Sequence, residues 1–463
     1  MSKFKSCDRY QLYLLPPSID EWLPENHLAR FIVEVIEKMD LTRLTNHYSG
    51  KGSAAYHPAM MLSLLVYGYA TGTFSSRKIE RATYDSVAFR FLAANQHPDH
   101  DTIAHFRKTF LVELEDLFVQ VLVIAQAMKL FKLGNISLDG TKIKANASKH
   151  KALSHGHIEK LEAQLREEVQ FLLNKAAQTD EQESDNDLDL PAELARREQR
   201  LEALAAAKAK IEERVQVRDR QAQKDYEDKV ARREAQRRAG QKPRGREPKA
   251  PETGPKAKDQ INLTDEHSRI MPSSDGFIQG YNGQSAVDTE SMLIVATDLT
   301  TETNDKQRVK PMLETLGKLE NQFGKPDTLL ADNGYFSQDN VKSCAEHGIT
   351  PLIALGREAH HLPIAQRLQP DAPEPQTDDP LERMVYQLKT QSGRELYGKR
   401  KSTVEPVFGI IKQVLGFRQF LLRGFQAAAG EWKLVAMAYN FKRIHTMAAK
   451  WSMDKENLLT TGN

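Results

Sequence analysis

The sequence predicts an α/β protein built on a mixed sheet, preceded by an all-α region and interrupted by a helical hairpin. Three observations carry this. Residues 1–130 hold apolar residues at helical spacing with no alternating strand pattern. From residue 131 onward, strand-like and helix-like segments alternate. Residues 151–260 carry heptad-spaced apolar residues among many charges.

In chain order, amphipathic helices are expected near 27–39, 58–70, 75–92 and 101–128, separated by "SGKGSAAYHP", "ATGTF" and "NQHPDHD". A strand follows at 135–144, with Ile136 and Leu138 on one face and Ser137 and Asp139 on the other. "HIEKLEAQLREEVQFLLNK" and "ELARREQRLEALAAAKAKIEERV" then place Ile158, Leu161, Leu165, Leu172, Leu194, Leu201, Leu204, Ile211 and Val215 on apolar stripes. An acidic turn between them makes an antiparallel hairpin. The continuation to 260 loses its stripe and becomes basic, then Pro/Gly-rich, so partial disorder is expected. From 261 to 450 the order reads strand, strand, helix at 306–322, strand "DTLLA", helix "SQDNVKSCAEHG" stopped by Gly348, and strand "TPLIAL". A Pro- and Asp-rich loop near 363–380 leads to a helix from Glu405, and an apolar helix around "WKLVAMAYNFKRIHTMAA" precedes the tail 451–463.

The bulk numbers exclude several classes. Two cysteines, Cys7 and Cys344, cannot make a disulfide framework. The run "AMMLSLLVYGYA" is too short to span a bilayer, and "MSKFKSCDRY" lacks an apolar signal core. The expectation is a soluble, cytoplasmic protein with no membrane partner. Net charge is +2, yet it is segregated: 232–258 carries ten Lys/Arg against three Glu, and 179–193 carries seven acids and no base. The basic arm reads either as a non-specific DNA contact or as a solvated linker. Arg77, Lys78 and Arg81, behind a Ser cap, read either as a DNA-facing helix or as a solvated face.

"STVEPVFGIIKQVLGF" concentrates the chemistry. At 100° per residue from Val404, the apolar Val407, Phe408, Ile411 and Leu415 lie within about 60°, while Glu405, Gly409 and Lys412 share the adjoining stripe at about 80–140°. Pro406 belongs in a first helical turn, so the helix is expected to start here. Two further acids stand out by position: Asp139 late in the first strand, and Asp332 directly after an apolar strand and before "NGY". Open α/β sheets build sites beyond strand ends, and a packed helix can bring in a third carboxylate. Three carboxylates hold hard cations, Mg²⁺ or Mn²⁺, and a pair of such ions suffices for phosphoryl transfer. Asp288, Asp298 and Asp305 compete for the role, but Asp288 falls in a hairpin turn and Asp305 just before a helix, where caps are expected.

Four blocks together, "SLDGTKIKANAS", "GYNGQSAVD", "LLADNGYFS" and "LYGKRKSTVEPVFGIIKQ", resemble the DDE transposases of bacterial insertion sequences, in the branch with a tyrosine–arginine–glutamate–lysine signature. "HPAMMLSLLVYGYATGTFSSRKIE" and "PDHDTIAHFRK" are similar to the N-terminal domain of the same proteins. The resemblance implies a ribonuclease-H-like catalytic domain with Asp139, Asp332 and Glu405 as catalytic and metal-binding acids. The signature falls on Tyr397, Arg400 and Lys412 as DNA contacts. Lys412 keeps the six-residue gap after Glu405; at the arginine position Lys401, not Arg400, has the usual three-residue gap, so either base fits. The implied activity is cleavage of transposon ends and joining of the 3′-hydroxyl to target DNA, by a homodimer pairing two ends in the nucleoid. A nuclease that cuts without joining, and a catalytically silent DNA-binding assembly protein, are the alternatives.

Overall fold

A computed structural model describes residues 18–48, 54–181, 190–240, 242–243, 245–273, 276–356 and 372–460. Cys7, most of the acidic turn and the first half of the loop near 363–380 lie outside the described residues. The chain divides into two compact units, 1–145 with 281–463, and 146–280. The second is wider than the 151–260 stretch marked by composition.

The amino-terminal helices of the first unit are α1 (Leu28–Glu37), α2 (Pro58–Ala70), α3 (Ser76–Asp85), α4 (Val87–Leu92), α5 (His100–Thr109) and α6 (Leu114–Ala127). The caps are local chemistry: His27 and His57 each accept a backbone N–H through Nδ1, at 3.1 and 3.2 Å, and Pro58 stands in the first turn of α2. Two expectations are corrected. The segments 75–92 and 101–128 are each broken, the first at Ser86, whose backbone is extended. And α2 is not amphipathic: every residue from Met61 to Ala70 is buried. It packs between α1 and the last helix, α11 (Phe425–Thr460, numbered in the sequence of helices below), so it has no solvent face for polar residues to occupy.

The strands of this unit are β1 (Ile136–Lys144), the 281–288 part of β2 (Gly276–Asp288), β3 (Ile294–Thr300), β4 (Thr328–Ala331) and β5 (Thr350–Ile353). Edge to edge the order is β3, β2, β1, β4, β5. β2 and β3 pair antiparallel across the turn expected at Asp288–Ser291, where Asp288 Oδ2 accepts Ser291 N at 2.8 Å. β1, β4 and β5 pair in parallel, so the sheet is mixed. The helices after β3 are α7 (Val309–Lys318), α8 (Gln338–Glu346), α9 (Pro380–Gln387), α10 (Gln391–Gly409) and α11. Gly348 closes α8 at φ +71°, as expected.

α11 ties the sheet to the amino-terminal helices. Asn440 bonds both the N–H and the carbonyl of Ile294 on edge strand β3, at 2.9 and 2.8 Å. On the other side, Tyr69 of α2 donates to Glu431 Oε1 at 2.6 Å, Arg107 donates to Tyr69 Oη at 3.2 Å, and Glu431 Oε2 accepts the N–H groups of Leu421 and Leu422 at 2.9 and 3.0 Å. Burial pushes the Glu431 carboxyl above the usual range despite these donors. No helix among the described residues is long and apolar enough to cross a membrane.

α10 corrects the placement of Pro406. The helix begins at Gln391, where Thr390 Oγ1 accepts Gly393 N at 3.0 Å, and Pro406 stands inside it. Gly393 passes so close to Gln387 that a Cβ would lie 1.9 Å from its carbonyl oxygen. Pro406 cannot donate to the turn before it, and just beyond it the helix widens to a π segment, Ile410–Val414, with Leu415 N on Ile410 O at 2.8 Å. Burial holds this strained stretch in place: Val404, Val407, Phe408, Ile411 and Leu415 form the expected apolar stripe.

The second unit is the expected antiparallel hairpin of helices His155–Glu181 and Leu190–Arg238. Arg197 meets Glu168 at 2.8 Å, and Lys208 meets Glu159 and Glu162 at 3.6 and 3.7 Å, so one register rises as the other falls. Ile158, Leu165, Leu204, Ala207, Ile211, Val215 and Ile261 fill the seam. A short ribbon pairs Ala152–Ser154 with Gln260–Asn262, and Arg269–Ser273 pairs with residues 276–280. The basic stretch begins on the second of these helices. Its first part, through Arg238, is helical, and Arg233 and Arg237 bond back to Gly245, Arg246 and Glu247. Pairs at i,i+4 such as Gln221–Asp225 and Gln223–Glu227 sustain a helix whose apolar stripe has ended.

Candidate active site

Strand register places the first two acids. Leu138 of β1 lies opposite Ala331 of β4 in a parallel pair, so the next residue on each strand is Asp139 and Asp332. Adjacent parallel strands lie about 4.8 Å apart, which brings the two carboxylates to one end of the sheet. Asp332 also caps the turn Asn333–Tyr335, its Oδ1 accepting Gly334 N at 2.8 Å. Burial pushes the Asp139 carboxyl up to about 6; the Gly140 N–H at 2.7 Å opposes this, and the charge of Asp332 adds to it.

α10 brings the third acid and its counter-charge. Arg400 is buried, with Nη1 3.5 Å from Asp139 Oδ2 and Nη2 3.3 Å from Glu405 Oε1. Glu405 itself is half exposed, at 52 %. Of the two bases, Arg400 enters the acidic cluster and Lys401 lies exposed. Lys412, in the π segment, donates to the Lys142 carbonyl of β1 at 2.9 Å. Tyr397 is half buried one turn before Lys401 on α10. Arg77, Lys78 and Arg81 are exposed on α3, Arg81 facing Asp85 at 3.0 Å.

The donor set is all hard oxygen and its charges crowd one another, which suits Mg²⁺ or Mn²⁺. Among the described residues no three such side chains converge tightly enough to share one ion. The guanidinium of Arg400 lies between Asp139 and Glu405 and balances their charge.

Three polar residues at the site were missed or misread. Asp305 was expected to be a helix cap, but Arg308 holds that position on α7. Asp305 Oδ1 instead accepts Asn282 Nδ2 at 2.6 Å and Gln284 Nε2 at 2.7 Å, with Lys142 Nζ at 3.6 Å. The signal was present: Asn282 and Gln284 share one face of a strand that is buried on both faces. Asp288 is the turn residue expected, and Asp298 accepts Leu299 N at 2.8 Å, 3.8 Å from Arg308.

Comparison with known proteins gives two family matches: residues 245–441 to the transposase DDE domain, and residues 17–109 to the transposase domain DUF772. No curated protein and no solved structure matches the chain. Asp332, Arg400, Glu405 and Lys412 fall within the first match and Arg77, Lys78 and Arg81 within the second, while Asp139 lies in neither. The two matched domains together make the chain a DDE transposase of the insertion-sequence type, a metal-dependent enzyme of DNA transposition.

Proposed function

We propose that Asp139, Asp332 and Glu405 hold the divalent cations, Mg²⁺ or Mn²⁺, with which this transposase cuts transposon ends and joins them to target DNA. The observation that supports this best is the parallel register of β1 and β4, which aligns two carboxylates at one sheet end. The strand order further supports a ribonuclease-H-like catalytic domain. When bound, the cations activate the attacking oxygen and neutralise the leaving one. Asp139, Asp332 and Glu405 would hold these cations through their carboxylate oxygens.

In the first step a water oxygen bonds to the scissile phosphorus, the bond from phosphorus to the 3′-oxygen breaks, and that oxygen leaves as a 3′-hydroxyl. In the second step this hydroxyl attacks a target phosphate in line and displaces the target's own 3′-oxygen. Arg400 balances Asp139 and Glu405 before the cations arrive, then turns to a phosphate oxygen. Lys412, Lys401 and Tyr397 contact the DNA backbone, and Arg77, Lys78 and Arg81 of α3 contact the ends. Tyr335 is fully buried, and burial holds its hydroxyl well above the usual range, which speaks against a tyrosine nucleophile. Pairing two ends calls for a homodimer on DNA.

The test is strand cleavage on a labelled fragment carrying the flanking ends of the element, with Mg²⁺, with Ca²⁺, and with Asp332→Asn. The proposal expects a new 3′-hydroxyl with Mg²⁺ only and none in the variant, whose end binding persists. Cleavage without subsequent joining would favour the nuclease reading. Cleavage by Asp332→Asn at the normal rate would overturn the assignment.

A further inference from the structure

The block "GYNGQSAVD" has so far no role in the reaction, yet its polar side chains meet directly beside the catalytic strand. Gln284 is fully buried, in a strand next to β1. Its Nε2 donates to Asp305 Oδ1 at 2.7 Å, and its Oε1 accepts the hydroxyl of Tyr335. Tyr335 closes the turn that Asp332 caps, on the far side of β1 from β2. The connection from β2 to β4 therefore passes over β1, and it does so at Gly140. A Cβ there would lie 2.2 Å from Gln284 Nε2 and 2.8 Å from both Asn282 Oδ1 and Asp305 Oδ1. Strand alternation puts position 140 on the face opposite the side chain of Asp139, so this network lies beneath the carboxylates. Asn340 closes it from behind, donating to the carbonyls of Lys306 and Tyr335, both at 2.7 Å.

We propose that Gln284 and Asp305 are positioning residues for strand cleavage: with Tyr335 they form a strut across β1 that sets the separation of Asp139 and Asp332. The proposal rests on the cation-holding role given to those two acids above. Two ions must sit about 3.5–4 Å apart to act on one phosphate. Parallel strand pairing sets the backbones only, and the Asp332 turn extends past the last paired residue. The strut supplies what the ladder does not. A displacement of about 1 Å at such a site costs on the order of a hundredfold in rate.

The experiment compares the full-length wild-type protein with Gln284→Met, Tyr335→Phe, their double variant, Asp305→Ala and Asp305→Asn. Mn²⁺ binding is read by electron paramagnetic resonance, end-DNA binding by gel shift without metal, and cleavage with Mg²⁺. Gln284→Met and Asp305→Ala are expected to weaken Mn²⁺ binding about 10–100-fold, as loss of outer-sphere support does elsewhere. Cleavage should fall with it, while end binding and melting temperature stay near wild type. The double variant should be no worse than the poorer single one. Asp305→Asn keeps an oxygen for both amide bonds and should recover most of what Asp305→Ala loses. Wild-type Mn²⁺ affinity and cleavage in Gln284→Met would overturn the strut. So would losses that track the melting temperature, or Asp305→Asn failing as badly as Asp305→Ala. If Gln284→Met does not fold, Tyr335→Phe, which removes one oxygen, decides on the same readouts. Wild-type protein that binds no Mn²⁺ would instead remove the reading on which the strut depends.

Discussion

Two of the three acids and the third are held in different ways. Asp139 and Asp332 follow paired residues of neighbouring parallel strands, so the sheet itself aligns them. Glu405 stands on a helix that contains Pro406 and widens into a π segment five residues on, half exposed and tethered by Arg400. The sheet provides a pair set by strand register, and the helix provides a half-exposed third acid. On the proposed assignment, the site therefore draws its acids from two differently built elements.

Arg400→Ala should break this comparison most strongly. It removes the charge that balances Asp139 and Glu405, and the phosphate contact proposed for it. Mg²⁺-dependent cleavage should fall by about 10²–10³, measured by single-turnover nicking, with end binding much less affected. Arg400→Lys should restore little, because a point charge cannot reach both carboxylates as the fork does.

Pro406→Ala sharpens the contrast between the pair on the sheet and the acid on the helix. A proline inside a helix costs about 3 kcal/mol, so the variant should be more stable to urea. Its cleavage should nonetheless drop roughly tenfold, as the regular helix re-aims Glu405. A variant both more stable and equally active would show that the widened turn has no catalytic part.

Glu431 tests the support far from the acids. Its folded pKa is raised above the ordinary 4.5, by burial first. The native state therefore binds this proton more tightly than the unfolded chain does, and stability from this group declines as pH rises above about 4.5. Urea midpoints of wild type should fall with pH more steeply from pH 4.5 to 7 than those of Glu431→Gln. Equal slopes would contradict the assignment. The smallest effect is expected in the basic arm: changing Lys242, Arg244, Arg246 and Lys249 to Gln should flatten the salt dependence of DNA binding by about 0.9 per lost phosphate contact. An unchanged slope would make the arm a linker.

Much of the architecture is legible from pattern alone. The strand at 136–144, the turn at Asp288, the Gly348 stop and the stripe Val404–Leu415 all depend on local pattern, and all appear in the structure. The alternation expected on the strand does not show in burial, because Ile136, Ser137 and Leu138 are all buried. What escapes is non-local. Pro406 reads as a helix start because local rules put proline there, yet tertiary burial on both sides carries the helix through it. α2 reads as amphipathic only because the sequence does not reveal that helices cover it on every side. Asp305 precedes a helix and so reads as a cap; its partners Asn282 and Gln284 lie more than twenty residues away on a strand, and their distance in sequence hides them. Arg400 and Lys401 differ by one helical step of about 100°, which sends one into the cluster and the other to solvent.

The most direct test of the central claim is to map where a divalent ion sits. Fe²⁺ substituted for Mg²⁺, with ascorbate and peroxide, cuts the polypeptide next to its binding site. The account predicts cuts near residues 139, 332 and 405, competed away by Mg²⁺ and lost in Asp139→Asn. Cuts elsewhere, or cuts that persist in that variant, would contradict the claim that these three acids hold the metal.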